Sequence, residues 1–170
     1  MAAPFVIEPL GSEHDRAGFS CGVESLDRYF RQQARQDVQR SVAAVYVLRG
    51  AEASVVLGYY TLSSSSVELL ELPPDVSRRL PRYPVVPAFL IGRLAVDERS
   101  RGQRLGQRLL LDAAARCHRL SQEVGAVAIL VDAIDDAARG SYERYGFRRF
   151  PRYERRLFLP MQEVGRLIGG

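Results

Sequence analysis

The chain has 170 residues, of which 46% are hydrophobic and 26% are charged, a composition typical of a globular protein with one core. No apolar run approaches the roughly 20 residues of a membrane-spanning helix, and the first residues lack the pattern of a signal peptide, so a cytoplasmic location without a membrane is expected. The formal net charge of +4 comes from an excess of arginine and is compatible with a polyanionic partner, although charge alone does not require one.

The first part of the chain is predicted to contain three strands and a helix. Residues 5–10 form the first strand, residues 41–48 and 55–63 form an antiparallel hairpin, and apolar spacing predicts a helix over residues 23–38. One face of this helix carries three arginines that would either face solvent or contact a phosphate backbone: Arg28, Arg31 and Arg35.

Residues 72–87 are the least regular segment, because five prolines exclude an ordinary helix or a central strand. Arg78, Arg79 and Arg82 lie inside this segment. A plain surface loop is one interpretation, and a basic loop that carries function on a rigid sheet is the other.

Residues 88–112 join an apolar strand, a short charged turn with two glycines and the start of an amphipathic helix. The first turn of a helix has backbone N–H groups without intrahelical partners and partial positive charge, so it favours an anion such as phosphate. Gly102 and Gly106 would let a phosphate lie against the backbone. By itself, this pattern is equally compatible with a plain strand-to-helix turn.

An uninterrupted apolar run at residues 126–131 predicts a strand that is covered on both faces. The apolar stripe over residues 105–124 predicts a helix that packs on a sheet, and the three elements together imply a right-handed parallel crossover. Because ligands of open α/β sheets bind beyond the carboxyl ends of the strands, the glycine turn is placed at a binding site.

The end of the chain is predicted to close the same domain. Residues 134–145 form a short helix with Asp135 or Asp136 as its cap and Gly146 at its carboxyl end, and two closing strands follow at residues 147–150 and 155–159. Residues 160–170 are expected to be ordered only in part. The sequence has no internal repeat, so a single domain over residues 1–170 is expected.

The cysteines and histidines argue against a metal centre. Cys21 and Cys117 are far apart and match no spacing of metal ligands or of a redox pair, and only His14 and His118 accompany them. Cys117 falls on the apolar stripe of the predicted helix and is interpreted as a core residue. No metal is therefore expected.

Two motifs resemble those of the GNAT superfamily of acetyl-coenzyme A N-acetyltransferases. Arg-Gly-Gln-Arg-Leu-Gly at residues 101–106, preceded by Gly-Arg-Leu-Ala-Val-Asp at 92–97, resembles the phosphate turn of that family. Ser-Tyr-Glu-Arg-Tyr-Gly-Phe at 141–147 resembles its late Tyr-x-x-x-Gly-Phe motif. The order of elements is similar over nearly the whole chain, which implies an α/β (α+β) fold with a mixed central sheet of about six to seven strands flanked by helices.

One position departs from the family pattern, because Arg104 stands where the family most often has its middle glycine. If the backbone there has a positive φ, a side chain costs on the order of 1–2 kcal/mol. If the backbone is helical, Arg104 costs nothing and could reach a phosphate itself.

The resemblance implies a role for each motif. The glycine turn would hold the pyrophosphate of acetyl-coenzyme A, and the backbone of the central strand would bond the pantetheine arm. Tyr142 would protonate the leaving thiolate, because a phenol with a pKa of about 10 is protonated at neutral pH, and Tyr145 is its nearest competitor. The coenzyme-binding residues implied in this way are Leu94, Ala95, Val96, Arg101, Gly102, Gln103, Arg104, Leu105, Gly106, Asp135 and Tyr145.

The sequence shows no evident general base, since the strand at residues 89–96 has no carboxylate and no histidine. Either a water relay serves, or the acceptor amine arrives mostly neutral. An α-amine titrates at about 7.7–8.0 and a lysine side chain at about 10.4, so the missing base favours an α-amine as acceptor.

One branch of the superfamily matches the combination of motifs at residues 19–29, 58–63 and 92–97, which is similar to the acetyltransferase toxins of bacterial toxin–antitoxin pairs. Those enzymes acetylate the α-amine of aminoacyl-tRNA, block translation, and are held by an antitoxin with a ribbon-helix-helix domain. The likeness implies phosphate contacts by seven arginines: Arg28, Arg31, Arg35, Arg78, Arg79, Arg82 and Arg93.

Other functions stay open on the sequence. A GNAT enzyme that acts on a small amine or a protein N-terminus is the first alternative, and a non-catalytic binding module is the second. A homodimer is also left open. A P-loop nucleotide enzyme is excluded, because no Gly-Lys-Ser/Thr follows the turn.

Overall fold

The structure is a computed structural model that describes residues 5–51 and 53–169. The described residues form seven strands: β1 (Phe5–Pro9), β2 (Ala44–Gly50), β3 (Val56–Glu68), β4 (Val85–Val96), β5 (Ala128–Asp132), β6 (Arg148–Arg149) and β7 (Arg156–Pro160). The helices are α1 (Glu24–Gln32), α2 (Ala34–Gln39), α3 (Pro74–Ser77), α4 (Leu105–Leu120), α5 (Asp136–Arg144) and α6 (Met161–Gly169). Among the residues described, no helix is both long and apolar enough to span a bilayer.

The strands form one mixed sheet in the order β1-β2-β3-β4-β5-β7-β6. β1, β2 and β3 are antiparallel neighbours, and β7 runs antiparallel to both β5 and β6. β4 and β5 are parallel, with Phe89 opposite Ile129 and Ile91 opposite Val131, and α4 is the helix of the crossover that joins them. The predicted fold class, a mixed sheet with flanking helices, is confirmed.

The described chain packs as two compact units, and the prediction of a single domain stays a prediction. The first unit comprises the described residues up to Ser63 together with Arg93–Ala113, and the second comprises Ser64–Gly92 together with the residues from Ala114 onward.

Aromatic rings form the core of the first unit. Phe30 stacks on Tyr59 with ring centroids 4.4 Å apart, and Phe19 meets both rings edge-on at 5.0 and 5.5 Å. The Tyr59 hydroxyl donates to the Leu26 carbonyl oxygen at 2.8 Å, so the ring that packs under α1 also ties down its backbone. These contacts bury the apolar face of α1.

The helix predicted over residues 23–38 is in fact two helices. Gln33, with φ −119°, separates α1 from α2, although its N–H still donates to the Tyr29 carbonyl at 2.8 Å. Asp37 accepts hydrogen bonds from the Tyr29 hydroxyl at 2.8 Å and from the Gln33 amide at 3.0 Å, so side chains hold this break.

Gly58 lets α4 pack directly on β3. A Cβ at this position would lie 2.8 Å from the Leu109 side chain and 2.9 Å from the Ala95 carbonyl oxygen, both closer than real contacts allow. Leu109 and Ala113 are fully buried. The glycine therefore fixes the height of α4, and with it the position of the turn that precedes this helix.

The second unit has its own core around Leu130, Phe150 and Phe158, with the two phenyl rings 4.8 Å apart. The proline-rich segment contains one four-residue helix, α3, with Pro74 in its first turn, where a missing N–H costs nothing.

The tail, for which only partial order was expected, forms α6. Val164 is fully buried, and the Met161 N–H donates to the Val127 carbonyl oxygen at 2.8 Å. The apolar contacts of α6 stabilise this helix, although its short length and its glycines had favoured only partial order.

Candidate active site

The turn between β4 and α4 is anchored by a buried aspartate. Asp97 is 1% exposed, and its carboxylate accepts hydrogen bonds from the Arg99 backbone at 2.9 Å, the Arg99 guanidinium at 2.8 and 3.0 Å, and the Ser20 N–H at 3.1 Å. Burial by itself raises the pKa of Asp97, but these hydrogen bonds outweigh it and leave the pKa lowered. The carboxylate is therefore charged and holds the turn in place.

The Phe-Ser-Cys-Gly segment at residues 19–22 completes this anchor. The Glu98 N–H donates to the Ser20 carbonyl at 2.9 Å, and the Arg101 guanidinium donates to the Cys21 carbonyl at 3.1 Å. Gly22, at φ +90°, lies where a Cβ would meet Glu98 at 2.8 Å. These contacts join residues 19–22 to the turn that follows β4, and they show that the Arg101 side chain is bound within the protein.

Two residues of the turn have left-handed backbone conformations. Gly102 has φ +85° and Arg104 has φ +57°. Of the two alternatives for Arg104, the positive φ is the one found, so the side chain is held in a conformation that favours glycine. The Arg104 side chain is exposed.

The helix start has the features of an anion site. The Arg104 carbonyl accepts the first intrahelical bond, from the Arg108 N–H at 3.1 Å, and the N–H groups of residues 105–107 have no acceptor among the residues described. No acidic residue lies in the first turn of α4. A Cβ at Gly106 would meet only Val96, at an ordinary 3.8 Å, so the protein itself leaves the side of this turn open. Such a helix start attracts a diphosphate.

The central strand supplies Leu94, Ala95 and Val96. Ala95 is buried and its neighbours are half-buried. The Arg93 N–H donates to the Thr61 hydroxyl at 3.0 Å. The role of these backbone groups toward a coenzyme stays a prediction.

Helix α5 positions the tyrosines of the late motif. Asp135 caps this helix by accepting the Ala138 N–H at 2.8 Å, which confirms its predicted capping role; its contact with a coenzyme stays a prediction. Tyr145 is the residue that follows the helix, and its N–H donates to the Tyr142 carbonyl at 3.0 Å.

Tyr142 packs edge-on against Phe147, with ring centroids 5.7 Å apart. Burial raises the pKa of Tyr142 to about 12, and the negative charge of Asp132 adds to this effect. The phenol is therefore protonated at neutral pH and can act as an acid.

Asp132 and Arg156 form a pair that the sequence did not reveal. The guanidinium donates from Nε to Oδ1 at 2.7 Å and from Nη2 to Oδ2 at 3.0 Å. Asp132 ends β5 and Arg156 begins β7, so the sheet register places them opposite each other. A carboxylate directly after a buried strand was the signal that could have drawn attention to Asp132.

The arginines predicted to contact tRNA differ in the contacts that their side chains already make within the protein. Every basic side chain other than histidine is an arginine, because the sequence has no lysine. Arg31 forms an ion pair with Asp27 at 3.9 Å, and Arg79 donates to Gln162 at 3.2 Å. Arg93 lies 3.6 Å above the Tyr29 ring, and Arg78 donates to the Pro74 carbonyl at 3.1 Å. Within the described part of the chain, the exposed members Arg28, Arg35 and Arg82 have neither an ion pair nor a side-chain hydrogen bond, whereas Arg78 and Arg79 bond neutral acceptors only.

A cluster of Glu8, Glu13 and His14 has donor atoms close enough to surround a cation. The Gly11 N–H donates to His14 Nδ1 at 2.9 Å, so the neutral ring carries its proton on Nε2 and donates it to Glu8 at 2.6 Å. Arg49 binds the same Glu8 carboxylate, with Nε 2.6 Å from Oε2. These contacts make the group an internal ion-pair cluster.

The chain belongs to the GNAT acetyltransferase family: the profile of the Acetyltransferase (GNAT) domain matches residues 44–149. The fold and the glycine turn described above are those of an N-acetyltransferase. The chain is 32% identical to the probable toxin TacT of Sinorhizobium fredii, over 99% of this chain and 97% of that protein. It is 37% identical to a tRNA-acetylating toxin of Mycobacterium tuberculosis, over 94% of each.

The chain is also similar to solved structures of toxins over nearly its whole length. A mutant of KacT superposes with a TM-score of 0.90 at 28% identity and covers 96% of this chain and 99% of its own. AtaT complexed with acetyl-methionyl-tRNAfMet gives 0.88 at 29% identity, covering 96% and 98%. A mutant of AtaT bound to the C-terminus of the antitoxin AtaR and to acetyl-CoA gives 0.82 at 26% identity, covering 98% and 99%.

Proposed function

We propose that this protein is an acetyl-CoA-dependent N-acetyltransferase that acetylates the α-amine of aminoacyl-tRNA and acts as a toxin by blocking translation. The observation that carries this proposal is the likeness, over nearly the whole chain, to a tRNA-acetylating toxin and to AtaT in complex with acetyl-methionyl-tRNA. The match to the GNAT domain spans residues 44–149 and therefore covers the stretches that contain both motifs.

The start of α4 would hold the coenzyme diphosphate. Its N–H groups at residues 105–107 are unpaired among the described residues, its first turn has no acid, and Gly102 and Gly106 leave the backbone accessible. Arg101 and Gln103 would contact the coenzyme through their backbone groups, since the Arg101 side chain already donates to the Cys21 carbonyl oxygen. The coenzyme supplies the activated acetyl thioester.

Tyr142 would act as the general acid. Its raised pKa keeps the proton on the phenol until a thiolate, which is a stronger base than water, needs it. Tyr145 would then be a secondary contact for the coenzyme.

The acceptor would be an α-amine that carries an ester on the neighbouring carbonyl. Such an amine loses its proton more readily than lysine, and β4 offers no carboxylate or histidine to remove it. A water relay would be sufficient to accept the proton.

Exposed arginines would bind the tRNA backbone. Arg28, Arg35 and Arg82 are the members of the predicted set that make neither an ion pair nor a side-chain hydrogen bond within the described chain. Arg31, Arg78 and Arg79, whose side chains are already bonded, would contribute less. Arg93 is stacked on Tyr29 and would position that ring.

A cognate antitoxin with a ribbon-helix-helix domain would keep the enzyme inactive, in keeping with the complex of AtaT with AtaR. Because aminoacyl-tRNA is a cytoplasmic molecule, we place the enzyme in the cytoplasm. A homodimer remains a prediction.

Mass spectrometry of tRNA after incubation with the enzyme and acetyl-CoA tests the proposal. We expect acetyl groups on the aminoacyl ester of at least one charged tRNA, and none when the tRNA is deacylated first. Growth arrest on expression in a bacterial host should accompany this activity. Acetylation of small amines alone, with no effect on growth, would contradict the tRNA-directed function.

A further inference from the structure

The second unit contains a cavity of about 220 Å³ that the roles above do not use. It lies between the end of β3, the 3-10 turn at Leu69–Glu71, the start of β4 and the loop between β6 and β7. This volume is below the roughly 300–1,000 Å³ of pockets for drug-sized ligands, and it suits one aminoacyl group. Its polar lining comprises Ser66, Glu68, Glu71, Tyr153 and Arg156.

The charge of this lining is opposite to that of the chain as a whole. Glu68 and Glu71 are carboxylates, and the guanidinium of Arg156 is already neutralised by both oxygens of Asp132. Glu71 is likewise paired, with Arg152 at 3.2 Å. The three carboxylates of Glu68, Glu71 and Asp132 and the two guanidinium groups of Arg152 and Arg156 therefore leave one net negative charge at the cavity, in a chain of net charge +4. It therefore fits a cationic group and disfavours a phosphate.

Glu71 is the better placed of the two carboxylates. Its side chain is only 11% exposed, and the two hydrogen bonds it receives, from Arg152 at 3.2 Å and Tyr153 at 3.4 Å, both end on Oε1. Its Oε2 has no partner among the residues described. A nearly buried carboxylate with one free oxygen is a strong acceptor for an ammonium group.

Exposed apolar and aromatic side chains beside the cavity form what we call its rim. Tyr153 lines the cavity and is 43% exposed, whereas Leu70 (96% exposed) and Tyr83 (63% exposed) lie one and two residues from the lining residues Glu71 and Val85. The Leu69 N–H bonds the Pro84 carbonyl at 3.0 Å, so Leu70 and Tyr83 lie on adjoining segments. Exposed aromatic rings beside a polar site are typical stacking platforms for single-stranded nucleotides. Exposed arginines flank this rim in sequence at Arg82, Arg152 and Arg155.

The cavity is also linked to the proposed acid within the same unit. Asp132, which holds Arg156 in the cavity wall, is the residue whose charge acts on Tyr142. The wall of the cavity and helix α5, which carries Tyr142, are thus joined by the short segment that follows Asp132.

We propose that this cavity receives the aminoacyl group of the acceptor, with the α-amine on Glu71 and the 3′-terminal nucleotides of tRNA stacked on Tyr83 and Tyr153. This inference rests on the proposed function and assigns the acceptor side of the site. The amine arrives as an ammonium ion and, after it loses a proton to solvent, still donates an N–H to the same carboxylate. Its side chain would contact the apolar wall at Leu130 and Phe150.

The first test compares Glu71→Gln with Glu123→Gln, which removes an exposed carboxylate that does not line the cavity. Two acceptors are used, an aminoacyl-tRNA and the methyl ester of the same amino acid. We expect Glu71→Gln to raise KM for both acceptors by about 10- to 100-fold. The affinity for acetyl-CoA, measured by calorimetry, and the melting temperature should stay unchanged, and Glu123→Gln should behave as wild type.

The second test separates the rim from the cavity. Tyr83→Ala should raise KM for aminoacyl-tRNA by about tenfold and leave KM for the methyl ester unchanged, since only the tRNA has bases to stack. Light scattering should show the same oligomeric state for this variant. A change in oligomeric state would assign the rim to self-association and overturn the nucleotide part of the proposal.

The outcomes distinguish this inference from the proposed function. If the wild-type enzyme acetylates the methyl ester but not aminoacyl-tRNA, the tRNA-directed function is wrong. The effect of Glu71→Gln on KM for the methyl ester then still tests whether the cavity binds the acceptor. If wild-type enzyme acetylates aminoacyl-tRNA and Glu71→Gln leaves KM for both acceptors unchanged, the cavity is not the aminoacyl site.

Discussion

Tyr142 and Phe147 are joined twice, through an edge-on contact of their rings at 5.7 Å and through a hydrogen bond from the Phe147 N–H to the Tyr142 carbonyl at 3.3 Å. Between them, the Gly146 N–H donates to the Glu143 carbonyl at 3.0 Å, and Gly146 has φ +97°. This is the Schellman arrangement that ends a helix, with the hydrophobic contact that accompanies it. The Tyr-x-x-x-Gly-Phe motif is thus a helix cap that also fixes the ring of the proposed acid.

Gly146→Ala should destabilise the protein by about 1 kcal/mol or more, because alanine strongly disfavours a positive φ. Turnover should fall with it, since the cap that holds Tyr142 is disturbed. Chemical denaturation and steady-state kinetics measure the two effects.

Gly140→Ala is the matched control in the same helix. A Cβ there meets nothing within 4 Å, so this change should stabilise the protein by about 0.5–1 kcal/mol. Equal effects of the two alanines would contradict the capping role of Gly146.

Tyr142→Phe should lower kcat by about 10²- to 10⁴-fold and leave acetyl-CoA affinity intact, because it removes one hydroxyl and little packing. Since the pKa of Tyr142 is raised to about 12, the wild-type rate should show no loss from phenol ionisation below about pH 11. Near-normal turnover of the variant would assign the acid role to another group, and Tyr145→Phe is the comparison to make.

Arg104→Gly should stabilise the protein, by up to about 1 kcal/mol, because it relieves the positive φ of the turn at some cost in chain entropy. Arg104→Asn tolerates the same conformation and removes the charge, so it isolates the side chain. If the guanidinium reaches a coenzyme phosphate, both variants should bind acetyl-CoA about tenfold more weakly by calorimetry. Unchanged affinity in both would limit Arg104 to a backbone role.

The cluster of Glu8, His14 and Arg49 should make stability depend on acid pH. Hydrogen bonds from Arg49 and then His14 lower the pKa of Glu8 from 4.5 to about 2. A carboxyl group with a depressed folded pKa stabilises the protein fully above its unfolded pKa, and that contribution is lost as the pH falls from 4.5 through about 2.

Glu8→Gln should therefore lower the melting temperature at pH 7 and flatten its decline below pH 4.5. Thermal melts of both proteins across this range measure the difference. Parallel curves for variant and wild type would show that another carboxyl group causes the acid sensitivity.

Structural features that depend on residues close together in the sequence could be predicted. The apolar runs, the glycine turn and the Asp135 cap depend on residues within a few positions of one another, so their patterns indicated β4, α4, β5 and α5. The conformation of Arg104 was reduced to two alternatives by the same local reasoning, and the structure decided between them.

Features that depend on distant residues were not predictable. The hydrogen bond from Arg152 to Glu71 joins residues 81 positions apart in the sequence. Arg93 and Tyr29, which stack, are also far apart in the sequence. The cavity therefore has no sequence signature. The break at Gln33 and the order of α6 likewise depend on tertiary contacts that outweigh local propensity.

The use of arginine for every cationic position other than histidine has a consequence for an enzyme that handles an activated thioester. A guanidinium stays protonated in proteins and offers no free electron pair, whereas a lysine amine at a basic surface is a ready nucleophile. No side-chain amine of this protein can divert an acetyl group from its own coenzyme. The same residues that would attract a polyanion thus present no side-chain amine to the enzyme's own reagent.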